Sequence, residues 1–209
     1  MINFLLHFMI NEVIFDLETK KLFSDIEGSD PGDLGVSVVS LYSRKLDKDL
    51  NEIEGEILSF WEKDFEKMWP HFQDADRIIG FNSLGFDVPA LKPHSNFPFH
   101  KLTHFDIMDA IKNVLGHRLS LNAIASQTLG VKKTDVGTNA VLYWQRGDKE
   151  SLEKLQKYCE ADVIITKDVY DFGLKHNHLK YKDKWNTIRE VEIDFSHPPQ
   201  SDSTQNSLF

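Results

Sequence analysis

Hydrophobic positions along the chain change their period, and those changes mark out its elements. Val13-Ile14-Phe15-Asp16-Leu17-Glu18 is apolar on both faces until its acids appear, the pattern of an interior strand. Gly28-Ser29-Asp30-Pro31-Gly32 marks a loop. Gly35 to Tyr42, rich in Val and Leu, predicts a second strand, and Asp49 to Gly55 a weaker third. From Ile57 to about Phe72 the apolar residues Leu58, Trp61, Phe65, Met68 and Trp69 recur at helical spacing, which predicts a helix ending near Pro70. Arg77 to Phe81 reads as a buried strand, a helix follows Asp87, and His104 to Met108 reads as a last core strand. Ser120 to Gly130 and Asn139 to Trp144 predict helices, and Lys149 to about Leu174 a long amphipathic one. Val191, Ile193 and Phe195 then alternate as a strand does and pair with Leu179 to Tyr181 in a closing hairpin.

Strands first, then helices alternating with strands, predict an α/β fold with a mixed central sheet flanked by helices. A chain of 209 residues, 41% of them hydrophobic, suffices for one sizeable core. The expected organisation is an N-terminal extension over residues 1–12, one domain over 13–195 that includes the hairpin, and a tail over 196–209. The tail is mostly Pro, Gln, Ser and Asn, has little to bury, and is expected to be disordered.

The apolar stretch Met1–Ile10 lacks a basic leader, contains His7 and runs into Asn11 and Glu12, so it suits neither a signal peptide nor a membrane span. A soluble, cytoplasmic protein without a membrane partner is expected. The single cysteine, Cys159, excludes an internal disulfide framework, and no Cys/His cluster suggests zinc. A net charge of −9 argues against a protein that coats nucleic acid by bulk attraction. It leaves open a nuclease whose acids hold dications, because bound cations are the largest charges at such a site.

Asp16 and Glu18 lie two apart on a strand, so both side chains leave the same face. Two carboxylates there repel unless a cation lies between them, and a hard dication such as magnesium or manganese suits oxygen ligands better than zinc does. Asp162 falls on the stripe Leu155, Tyr158, Asp162, Ile165 and Val169 of the long helix, with Tyr158 one turn earlier. A hydrogen-bonded core pair is the competing role for these two. Asp87 follows the run Arg77-Ile78-Ile79-Gly80-Phe81-Asn82-Ser83-Leu84-Gly85-Phe86 and precedes Pro89, where it serves equally as a helix N-cap or a metal ligand.

These pieces occur in one order, and in that order the sequence resembles the DEDD superfamily of 3′-5′ exonucleases. Phe15-Asp16-Leu17-Glu18-Thr19 looks like the first motif, Asn82 through Phe86-Asp87 the second, and Tyr158-Cys159-Glu160-Ala161-Asp162 the third. The Tyr-x-x-x-Asp form is that of the tyrosine branch. Together with Ser120-Leu121-Asn122-Ala123-Ile124-Ala125 leading to Leu129-Gly130 and Lys132-Lys133, it is similar to the proofreading domain of family B DNA polymerases. The resemblance spans Val13 to Leu174 and implies a ribonuclease H-like fold with two divalent cations, Mg2+ or Mn2+. It implies that Asp16 bridges both, that Glu18 and Asp162 complete one site, that Asp87 supports the other, and that Tyr158 orients the attacking water. Cations about 4 Å apart suit in-line phosphoryl displacement, and a phenol titrating near about 10 positions a nucleophile better than it deprotonates one.

The expected partner is single-stranded or 3′-ended nucleic acid, DNA before RNA. Asn82, Lys132 and Lys133 are candidate nucleic-acid contacts, with Lys112 and Arg118 as further phosphate contacts and Phe81, Phe86 or Phe105 as stacking surfaces. At the end of the tail, Gln205-Asn206-Ser207-Leu208-Phe209 resembles the bacterial sliding-clamp-binding peptide, which makes Gln205, Leu208 and Phe209 candidate partner contacts. A ribonuclease D-like exoribonuclease shares the acids and the tyrosine. A catalytically silent nucleic-acid or clamp adaptor on the same fold is the non-enzymatic alternative.

Overall fold

The computed structural model of the chain describes residues 9–131 and 138–197. Five strands form one sheet in the order β3-β2-β1-β4-β5, from β1 (Ile10–Thr19), β2 (Val36–Leu46), β3 (Glu52–Trp61), β4 (Arg77–Gly80) and β5 (His104–Asp106). The first three strands form an antiparallel meander, whereas β4 and β5 run parallel to β1, so the sheet is mixed as the order of elements predicted. The helices are α1 (Phe65–Gln73), α2 (Asp87–Leu91), α3 (Ile107–Leu115), α4 (Leu121–Thr128), α5 (Thr138–Arg146) and α6 (Lys149–His176). After them comes the hairpin of β6 (His178–Lys182) and β7 (Ile188–Glu192). Among the described residues no helix is long and apolar enough to cross a membrane.

Alternation along the central strand decides what each face does. Val13, Phe15 and Leu17 enter the core built with Phe65, Met68, Trp69 and Phe72 of α1 and Leu91 of α2. The opposite face carries Glu12, Ile14, Asp16 and Glu18, and there Ile14 joins the core formed with α3, α4, α6 and the hairpin. β1 begins at Ile10, so Ile10 to Glu12 belong to the sheet, and Glu12 is fully buried.

Four elements depart from the sequence expectations. Leu58 and Trp61 fit a helical period but lie in β3, whose ladder to β2 runs on to Val38↔Trp61; α1 starts only at Phe65, after a 3₁₀ turn over Glu62–Asp64. Pro70 lies inside α1 rather than at its end. The strand expected over His104 to Met108 is three residues long, because Asp106 accepts a hydrogen bond from the Asp109 amide and starts α3. In the hairpin, Ile193 and Phe195 keep the alternating burial but lie beyond β7.

A buried polar network ties the chain's end to the start of β1. Arg44 bonds Glu12 Oε2 through Nε at 2.9 Å and Nη2 at 2.7 Å, and its Nη1 lies 2.7 Å from Asp171. The Tyr170 hydroxyl donates to Glu12 Oε1 at 2.8 Å and accepts from Arg77, which also bonds the carbonyls of Phe195 and Ser196. His197 Nε2 stands 3.0 Å from Glu12 Oε1. Burial alone would raise the Glu12 pKa, but His197, Arg44 and Tyr170 together hold it below the usual carboxylate value.

Candidate active site

Asp16 and Glu18 occupy the last turns of the β1 pleat on the face that meets α6, and the ladder to β2 shifts register between Glu18 and Thr19. Such an irregularity at a strand end re-aims the side chains beside it. Across from them, α6 presents Asp162, which is 6% exposed. Carboxylate oxygens of Asp16, Glu18 and Asp162 all lie within 4.8 Å of one another. At that separation, unit charges in an effective dielectric of about 20 repel by roughly 3 kcal/mol per pair, so the cluster favours a cation among its oxygens. Three hard oxygen donors suit a dication of the magnesium or manganese kind.

The deeply buried line of α6 keeps Leu155, Asp162 and Val169 of the stripe expected from sequence and adds Cys159, Val163 and Thr166 beside them. Leu155, Cys159, Asp162, Val163, Thr166, Val169, Tyr170 and Gly173 are buried, while Tyr158 and Ile165 lie at its edge. Tyr158 thus packs at the margin of the small core of Val38, Ala140, Leu155 and Cys159, one turn from Asp162. Cys159, which the sequence offered only as part of a motif, links helix and strand beside the acids: its Sγ lies 3.4 Å from the Asp16 carbonyl and 4.0 Å from Asp16 Oδ2. Burial, then the charges of Asp16 and Glu18, push its thiol pKa well up.

Asp87 stands outside the three-acid cluster. It is the first residue of α2 rather than its cap, and it is 5% exposed. Burial pushes its pKa up to about 8; bonds with its own amide and with the Leu17 backbone act against this, and the Asp106 charge adds to it. The Leu17 contact places Asp87 beside the strand residue between Asp16 and Glu18. Asp106 was missed from sequence, yet it organises this corner. One carboxylate accepts from the amides of Asn82, Leu84 and Asp109, so it fixes the turn after β4 and caps α3 together. Asn82 sits in that turn at φ 65°, and a Cβ on Gly85 would lie 2.8 Å from its side-chain oxygen. Gly80 is equally constrained, since a Cβ there would lie 2.4 Å from Ser83 Cβ.

Other expected contacts divide. Phe105 lies under Arg77, 4.3 Å from ring centre to guanidinium, and packs on Tyr170 and Phe195 as a partly buried residue at the edge of that core. Phe81 and Phe86 are also packed against the two main cores. Lys112 and Arg118 are exposed. Lys132, Lys133, Gln205, Leu208 and Phe209 lie outside the described residues. Beside the acids stands an aromatic wall that sequence reasoning did not single out: Trp61 stacks on Trp144 at 6.3 Å, and Lys20 lies 5.4 Å over the Trp144 ring. Trp61 fits a helical period in the sequence, which hid its place at the end of β3.

The family model that matches this chain is that of the RNase H superfamily, over residues 13–172. The chain belongs to the RNase H superfamily. Within it, the DEDD resemblance agrees with a sequence relative, the DNA polymerase delta catalytic subunit of Schizosaccharomyces pombe, 26% identical over 156 residues. That match covers 56% of this chain and 14% of the relative. A solved superfamily-like fold, the family B DNA polymerase of the archaeon Pyrobaculum calidifontis, superposes with a TM-score of 0.55 at 20% identity, covering 79% of this chain and 24% of that one. A zinc-bound complex of E. coli ExoI with single-stranded DNA gives 0.45 at 15% identity, covering 80% and 41%. The chain therefore spans a small part of the length of these proteins.

Proposed function

We propose that the chain is a metal-dependent 3′-5′ exonuclease of the tyrosine branch that removes nucleotides from single-stranded DNA. The observation that carries this reading is the convergence of Asp16, Glu18 and Asp162 within 4.8 Å, from a strand and a helix far apart in sequence. Asp16 and Glu18 from β1 and Asp162 from α6 would hold the cations, with Asp87 supporting from beside Leu17. Bound dications supply a water of lowered pKa and neutralise charge on the departing 3′ oxygen.

The chain's own residues then have separate tasks. Asp16 and Glu18 fix ligand oxygens on a strand that cannot shift without breaking two ladders. Tyr158, at the mouth of the α6 contact, orients the attacking water through its hydroxyl. Buried Cys159 keeps solvent from the back of Asp16. The preference for DNA rests on the likeness to DNA polymerases, and Asn82, Lys132 and Lys133 remain proposed contacts to the strand.

The test is incubation of purified protein with manganese and end-labelled DNA and RNA oligonucleotides. A ladder shortening from the 3′ end of DNA is expected, abolished by Asp16→Ala or a chelator and weakened by Tyr158→Phe. Wild-type turnover by Asp16→Ala would sink the assignment; a ladder on RNA alone would favour the exoribonuclease, and no ladder the adaptor. We also propose a cytoplasmic protein whose tail residues Gln205, Leu208 and Phe209 engage a bacterial sliding clamp. Absence of saturable clamp binding by a tail peptide removes that part.

A further inference from the structure

The β6–β7 hairpin carries a surface that the acid site does not explain. Its turn is closed by the Asp183 amide donating to Thr187 O at 2.9 Å and the Asn186 amide donating to Asp183 O at 2.9 Å, with Asn186 at φ 63°. Asp183 Oδ1 accepts from the amides of Trp185 and Thr187, and its Oδ2 accepts from Arg189 Nε at 2.9 Å. A turn this fully bonded is well defined, yet it holds Trp185 71% exposed. An indole exposed to this degree at the tip of an ordered turn offers a large, rigid apolar surface.

The groove beside it, of about 570 Å³, is lined by His117, Tyr181, Lys182, Lys184, Trp185 and Arg189, among others. The one acid of that lining is Asp183, whose oxygens are occupied by the turn and by Arg189. Glu190, the next acid along β7, lies beside His178 and Lys180. Lys184 sits 4.4 Å over the Trp185 ring, and exposed Arg118 falls between two lining positions, His117 and Leu119. On a chain of net charge −9, a cationic groove flanked by an exposed indole is the chemistry of a single-strand platform, with phosphates on the cations and a base on the ring.

We propose that this hairpin is a second contact for single-stranded DNA, in which a base stacks on Trp185 while neighbouring phosphates lie along Lys182, Lys184 and Arg189. The inference rests on the exonuclease reading for the direction of the strand but concerns a different place. α6 carries the chain from Asp162 to His176, about 21 Å at the usual helical rise, before the hairpin begins. A single strand following that length of helix spans on the order of six stacked nucleotides at about 3.4 Å each, so the test uses a longer oligonucleotide.

The experiment measures binding of a fluorescein-labelled oligothymidylate of roughly twenty nucleotides to the full chain in chelator, by anisotropy, so that no hydrolysis is involved. Trp185→Ala is expected to weaken binding about ten-fold, with Trp185→Phe restoring most of it. Lys182→Gln with Lys184→Gln is expected to flatten the logarithmic salt dependence by about 1.4, at about 0.7 per single-strand phosphate contact. Wild-type affinity and salt slope in both variants, or no binding by the wild-type chain, would overturn the proposal. Iodide quenching of Trp185 that is unchanged by the oligonucleotide would do the same. Hydrolysis of a trinucleotide with manganese reports separately on the acid site: its loss alongside hairpin-dependent binding would refute the exonuclease and leave this surface standing.

Discussion

Replacing Arg44 by methionine removes the cation from a deeply buried ion pair while keeping most of the side-chain bulk. The Arg44 side chain is 3% exposed and that of Glu12 is 0% exposed. Glu12 Oε2 loses both its guanidinium bonds, and the carboxylate keeps only Tyr170 at 2.8 Å and His197 at 3.0 Å, both on Oε1. A buried pair broken from one side typically costs about 3–5 kcal/mol, because the remaining charge has been taken out of water without compensation. That is a large part of the roughly 5–15 kcal/mol by which domains are stable. With a urea m-value of about 2 kcal/mol/M, the midpoint falls by roughly 2 M. Urea titration followed by circular dichroism reads this directly, and Glu12→Leu combined with Arg44→Met should recover most of the loss. A cost below about 1 kcal/mol for Arg44→Met would refute the reasoning, since it would mean that water or a rearranged partner already satisfies Glu12.

The same residue predicts the acid limb of stability. The folded pKa of Glu12 is held below its ordinary value, so its contribution is present above about pH 4 and is lost as pH falls through the lower folded value. Unfolding free energies from pH 6 down to 3 should therefore fall more steeply in the wild type than in Glu12→Gln; coincident slopes would assign the effect to other groups. Gly173→Ala should destabilise despite better helix propensity, because its Cβ would meet the Phe195 ring at 2.1–2.5 Å. A loss of about 1–3 kcal/mol is expected, relieved by Phe195→Leu, and a raised melting temperature would contradict the packing. Cys159, fully buried, should resist an aromatic disulfide reagent in the native protein and react at once in urea; fast native labelling would mean that α6 parts from β1.

Local chemistry was legible where it obeyed a short period. Asp16 and Glu18 are two apart on a strand, and Tyr158 and Asp162 four apart on a helix, so spacing alone assigned each pair to a common face. Their order along the chain then suggested a single site. Leu58 and Trp61 misled because three- and four-residue intervals across the end of β3 imitate a helix until the 3₁₀ turn is known. Met108 misled because apolar residues continue past Asp106, and only the bond from that carboxylate to the Asp109 amide ends the strand. The network of Glu12, Arg44, Arg77 and Tyr170 left no trace in the pattern. Its members come from four elements, and nothing local in any of them demands a partner up to 158 residues away.

β1 and α6 are fastened together at two heights, by Cys159 against Asp16 and by Tyr170 against Glu12. The three carboxylates between and beside these fastenings cannot drift apart when no cation lies among them. Their repulsion is then carried by the whole fold instead of being relaxed locally. Under the proposed function, charge balance at the site enters the folding equilibrium itself: a free dication would act as a stabilising ligand whose effect grows with the logarithm of its concentration above Kd, and a chelator would remove that stabilisation.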